Sequence, residues 1–180
     1  MLSVLEDLGW KCDKDEAGDF YCLLEYGDGQ LQIIPTIRKC SDHFRVSLMP
    51  SISTKRFSAA ASKILGESID HDPIVVSNLE DNKIPVVSKE DIVRIAEKVL
   101  SWASAQDIEA GLAIYRDLPT NAKGARPLRH LAALALAGDV ERLQSYKRSF
   151  DRGDRLDFVP YISVEMIERG IVIAKENSGV

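Results

Sequence analysis

The residues able to carry chemistry in this 180-residue chain are few: three histidines, three cysteines, one Gly-Asp-Gly turn and one basic run. Asp70-His71-Asp72, just before Pro73, is the only compact polar constellation. Carboxylate and imidazole groups ligate metals or share protons, but three consecutive residues do not converge on one point and no second ligand cluster accompanies them. The motif reads as a loop, with no metal site expected. His43 opens a strand-like run, and His130 stands beside Arg126 and Arg129 near a helix start. A general base needs a nucleophile or carboxylate within about 3 Å, and no spacing in the chain supplies one. Both read as surface or boundary histidines.

Cys12, Cys22 and Cys40 form no Cys-x-x-Cys pair. Cys22 shares a period-2 face with Phe20, Leu24 and Tyr26, which makes it a small apolar core residue; a redox pair with Cys12 is the alternative. Gly27-Asp28-Gly29 lacks the Gly-x-x-x-x-Gly-Lys spacing of a phosphate loop, so it is a turn. Arg142, Lys147, Arg148, Arg152 and Arg155 are interleaved with Glu141, Asp151, Asp154 and Asp157, the pattern of a solvated face. No catalytic residue and no cofactor is expected.

Composition narrows the classes further. Apolar residues are 45% and charged residues 28%, the balance of a folded globular chain. The net charge is −5, and residues 1–107 hold 12 basic against 18 acidic side chains. That balance argues against nucleic-acid binding, which rests on clustered Lys and Arg. The longest apolar run, Leu131 to Ala137, is too short for a membrane span, which needs about 20 residues, so no membrane role is expected. An acidic start without a basic patch is unlike a secretion signal, and sparse, odd cysteines suit a reducing cytoplasm.

The periodicities predict the elements. Leu2, Leu5 and Leu8 mark a short helix and Lys11–Asp19 a charged loop; Phe20–Tyr26 and Gln30–Ile37 flank the Gly27–Gly29 turn as a hairpin; His43–Met49 alternates as a third strand. With Asp28 and Gly29 as the central turn residues, Tyr26 lies opposite Leu31 and Leu24 opposite Ile33. Lys55–Leu65 carries an alanine-rich helical stripe, Ile74–Val76 and Ile84–Val87 read as a second hairpin, and Ser88 with Asp91 caps a helix over about 89–103. Helical spacing then continues to the end, with Pro127 in a first helical turn, Asp139 as a cap and a last helix from about Pro160.

The expected fold is therefore α+β: an antiparallel sheet of about five strands with flanking helices in the order αβββαββα over residues 1–104, and a helical bundle over 105–180. The order helix, three strands, helix, two strands, helix, together with the acidic front half, resembles the class I type III secretion chaperones. That resemblance implies a protein that holds a peptide or protein partner on its sheet, here on the face of Tyr21, Leu23 and Ile34. It also implies a homodimer through Lys55–Leu65, with Phe57, Ala61 and Ile64 as contacts. The segment Pro127 to Leu143 looks in addition like a single ankyrin-type helix pair.

The function expected on these grounds is a non-catalytic, cytoplasmic protein-binding factor. Two alternatives stand beside it: an acidic inhibitor or immunity-type protein that masks a toxin or enzyme, and a small hydrolase or metal-dependent enzyme using His71 or His130.

Overall fold

A computed structural model describes residues 1–179. The elements run α1 (Leu2–Asp7), β1 (Lys11–Lys14), β2 (Phe20–Tyr26), β3 (Gly29–Ile33), β4 (Thr36–Lys39), β5 (Phe44–Ser47), β6 (Ser51–Thr54), α2 (Lys55–Leu65), β7 (Val75–Val76), β8 (Asn82–Ile84), α3 (Lys89–Ser104), α4 (Ile108–Arg116), α5 (Arg126–Leu136), α6 (Val140–Asp151) and α7 (Val164–Ser178). The fold class is α+β, with antiparallel sheets followed by C-terminal helices.

The chain divides into two compact units, one of residues 1–54 and 73–106, the other of residues 55–72 and 107–180. The chain passes from one unit to the other at 54/55, 72/73 and 106/107, in place of the single division expected at 104/105. Helix α2 groups with the C-terminal helices, not with the strands.

In the α/β unit the strands form two antiparallel ladders, β1-β2-β3-β6-β7 and β4-β5-β8. Three chain paths contribute to both: β3 and β4 are one path interrupted at Ile34-Pro35, β5 and β6 are one path interrupted at Leu48-Met49-Pro50, and β7 and β8 lie on a third. The interruptions face each other, since Gln32 pairs with Ser51 and Thr36 with Ser47. A proline has no N–H to give a ladder, and Met49 adopts φ 39°, in the left-handed region. One bond, from the Ile34 N–H to the Leu48 carbonyl at 2.7 Å, spans the break.

Three expectations change. The turn between β2 and β3 is centred on Gly27 and Asp28, because Tyr26 pairs with Gly29 and Leu24 with Leu31. Gly27, at φ 58°, meets the positive-φ demand at the first central position of a type II′ turn. The shift is two residues, so each side chain keeps its expected face. Second, β7 and β8 do not pair with each other: β7 pairs with β6 and β8 with β5, so this path too is broken opposite Met49-Pro50. Third, the charged stretch after Trp10 contains an edge strand, β1, paired with β2 from Lys11↔Leu23 to Lys14↔Phe20.

Inside the helical unit α2 packs on α5 and α7, and α7 also covers α5 and α6. Phe57, Ala61 and Ile64 are fully buried, and the Phe57 ring stacks on Tyr115 with centroids 5.9 Å apart. The face expected to meet a second copy is core. Arg169 caps the end of α2, donating from Nε to the Ile64 carbonyl at 2.7 Å and from Nη2 to that of Leu65 at 3.1 Å. Pro160 precedes the last helix, whose N-cap is Ser163.

Two substitutions test this packing. An ideal Cβ at Gly29 lies 2.5 Å from the Ser53 carbonyl oxygen, so Gly29→Ala lowers stability by about 1–3 kcal/mol in urea titrations; an unchanged midpoint contradicts the register. Phe57→Ala costs about 3–5 kcal/mol and leaves the elution volume on a sizing column unaltered. A changed oligomeric state at constant stability would instead make Phe57 an interface residue.

Candidate functional site

The aligned interruptions open a crevice of about 300 Å³ in the α/β unit. Its walls are Ser47, Leu48, Met49 and Pro50 from the β5–β6 break, Leu79 to Asn82 from the β7–β8 break, and Ile95, Lys98 and Val99 of α3. Helix α3 is set by its own cap: the Ser88 hydroxyl accepts from the Asp91 N–H at 3.2 Å, and the Asp91 carboxylate accepts from the Ser88 N–H at 3.2 Å. Its Ile92, Ile95, Ala96, Val99 and Ala103 stripe is buried. Asn82 ties the walls together, donating to the Val46 carbonyl and accepting from Lys98 Nζ at 3.2 Å.

The crevice has an apolar floor and a polar rim. Leu48, Ile95 and Val99 are buried, whereas Met49 and Leu79 stand 55% and 46% exposed at the mouth. Glu80 and Asp81 lie at the rim, and Lys98 makes no ion pair among the described residues. The crevice therefore combines a small buried apolar floor with charged side chains at its mouth. Met49 adds adaptability, since methionine repacks at little cost.

Charge is segregated between the units. The α/β unit holds 9 basic and 14 acidic residues, so it carries the whole net charge of −5, whereas the helical unit holds 14 of each.

The residues expected to bind a partner lie elsewhere in the same unit. Tyr21 and Leu23 are half-buried on β2, and Ile34 is 38% exposed beside the sheet break. On the sheet face they share, Ser51 and Ser53 of β6 are buried. Nothing in the sequence marked the crevice, because its walls come from three separated segments whose alignment depends on the strand pairing.

The histidines are placed as follows. His43 lies in the β4–β5 turn, its Nδ1 2.7 Å from Asp42 Oδ1, a contact that holds the exposed Asp42 carboxyl below its usual range. His130 is fully buried, with Nδ1 2.8 Å from the Tyr115 carbonyl and Nε2 3.0 Å from the Tyr146 hydroxyl. Arg142 donates to that same hydroxyl and to the Arg116 carbonyl. Desolvation lowers the His130 pKa, so a neutral imidazole links α4, α5 and α6.

From the 70–72 loop, Asp72 receives the Arg129 Nε at 2.6 Å, and its N–H donates to Ser58 Oγ at 3.1 Å. Burial pushes the Asp72 carboxyl up against the pull of the Arg129 guanidinium. No group of three or more His, Cys, Asp or Glu able to hold a metal occurs among the described residues.

The basic run is engaged internally. Lys147 pairs with Asp151 at 2.8 Å and Glu168 at 3.4 Å, and Arg155 donates to the carbonyls of Val159, Pro160 and Ile162. Cys12 and Cys22, directly opposed on β1 and β2, are joined as a disulfide, which replaces the free core thiol expected for Cys22. Cys40 is free.

The profile of DUF6990, a family of unknown function, matches residues 1–175, and the chain belongs to that family. No curated protein matches the chain. No solved structure matches it. No helix among the described residues is long and apolar enough to cross a membrane.

Burial and the Arg129 guanidinium lower the His71 pKa to about 4 from 6.5. The unfolded chain therefore binds the extra proton between those values, and the stability tied to neutral His71 is complete above pH 6.5 and lost as pH falls through 4. The loss is on the order of 3 kcal/mol. Urea titrations of wild type and His71→Gln across this range measure it: the variant shows a shallower acid dependence, and parallel curves contradict a buried neutral imidazole.

Proposed function

We propose that the protein is a non-catalytic, chaperone-like binding factor that holds an extended segment of a partner polypeptide, seating one apolar side chain in the crevice at the sheet break. The crevice carries this reading. Its volume of about 300 Å³ suits a Leu, Met or Phe side chain, and Met49 and Leu79 already stand exposed at its mouth. Glu80 and Asp81 at the rim, on a unit of 9 basic and 14 acidic residues, favour Lys or Arg beside the anchoring residue. Apolar burial supplies the affinity and the acidic surface steers the encounter.

A binding role also fits the histidines, since His71 and His130 are desolvated and sit within packing networks.

Selection of displayed peptides on the full-length chain tests the proposal. The expected winners carry a Leu, Met or Phe with Lys or Arg within three positions, and Leu79→Arg with Asp81→Arg weakens them at least tenfold while the circular dichroism stays unchanged. Winners without basic residues, or indifferent to both substitutions, overturn it. A salt-steep association rate that ignores Leu79→Arg alone points instead to an electrostatic mask of the inhibitor type.

A further inference from the structure

We infer that the Cys12–Cys22 disulfide is a redox-openable clasp that fastens the edge strand β1 over β2, and that its reduction frees residues 11–19 and uncovers the edge of β2. This goes beyond the binding role proposed above and does not depend on it.

The case starts from what else holds β1. Of its four residues, Lys11, Asp13 and Lys14 are exposed, and only Cys12 is partly covered. Four register pairs and the Lys14 ammonium over the Phe20 ring, 4.7 Å from its centroid, join it to β2, and the short helix α1 is its other neighbour. A four-residue edge strand without an apolar side chain is marginal by itself. Cys22, by contrast, is fully buried in the sheet core. The bond thus ties a weak strand to a strong one.

The clasped stretch has clear ends. Trp10, buried, anchors its start by donating from its N–H to the Leu5 carbonyl at 3.1 Å. Beyond β1, Asp15 and Asp19 close a turn, with the Asp15 N–H 2.9 Å from the Asp19 carbonyl. Release would leave Phe20–Tyr26 as a seven-residue open edge bearing Tyr21 and Leu23, and an open edge is a template for an added strand.

The chemistry needs a dithiol. A thiolate of the reductant attacks the sulfur of Cys12, the less buried of the two. The S–S bond breaks, and Cys22 leaves as a thiolate that takes up a proton. The second reductant thiol then attacks the mixed disulfide, releasing Cys12 as a thiol and the reductant as its cyclic disulfide, so two electrons pass from reductant to protein. In a reducing cytoplasm the clasp stands open, and in an oxidising compartment it stays shut.

Alkylation with mass measurement and hydrogen exchange on the full-length chain, with and without dithiothreitol, test this. Air-oxidised protein should take up one alkyl group, at Cys40, when denatured without reductant; protein treated with dithiothreitol under native conditions should take up three. Exchange at residues 11–14 and at the β2 amides facing them should quicken roughly 100-fold, while β3 and β6 keep their protection. Cys12→Ala should reproduce that pattern without reductant. Three alkylations in the untreated protein, a bond that resists native reduction, unchanged protection of β1 after reduction, or loss of protection across β3 and β6 would each overturn the inference.

Discussion

A ladder of backbone hydrogen bonds cannot run through a residue that has no N–H, and the α/β unit places two such residues on neighbouring paths, where the flanking register sets Pro35 opposite Leu48 and Pro50 opposite Ile33. Pro35 interrupts one path and Pro50 the next, beside Met49 at φ 39°. The third path follows, because its two strands pair with β6 and β5 on either side of the break and residues 77–81 lie outside both ladders, with the Ser77 N–H donating to the Pro50 carbonyl. The sheet divides into two ladders, and α3 closes the gap from one side. The crevice is a consequence of that division, and the proposed function rests on the crevice.

The two units put polar groups to different uses. In the helical unit the buried or half-buried ones are consumed by packing: His130 with Tyr146 and Arg142, Asp72 with Arg129, and the α2 terminus with Arg169. Leaving any of these groups without its partner costs more than the hydrogen bond contributes, so such networks fix one arrangement of helices. In the α/β unit Glu80, Asp81 and Lys98 line a crevice whose floor is Leu48, Ile95 and Val99. The net charge is confined to this unit, and the crevice carries acidic side chains at its rim.

Much of this architecture was legible locally. The Ser88–Asp91 capping box, the Asp139 cap, Pro127 in a first turn and the Lys55–Leu65 helix are short-range patterns, and each fell where its chemistry predicts. What depended on long-range pairing was not. Val75–Val76 and Asn82–Ile84 have the look of a hairpin because their separation fits one, yet each finds a longer strand to extend. Lys11–Lys14 has no hydrophobic alternation, so only its pairing makes it a strand, and that pairing brings Cys12 to Cys22. Phe57, Ala61 and Ile64 made an apolar stripe whose partner the sequence left open, and α5 and α7 supply it. The crevice escaped for the same reason, since no single segment contains it.

The central claim is that the break in the sheet is a receptor for an apolar side chain carried on a basic segment. Methyl NMR of the full-length chain during titration with a Lys-flanked leucine peptide tests it most directly. The account predicts saturable shifts at Leu48, Leu79, Ile95 and Val99, with the methyls of Leu131 and Ile167 in the helical unit unmoved. Shifts confined to the helical unit, or none at peptide concentrations approaching millimolar, would contradict it.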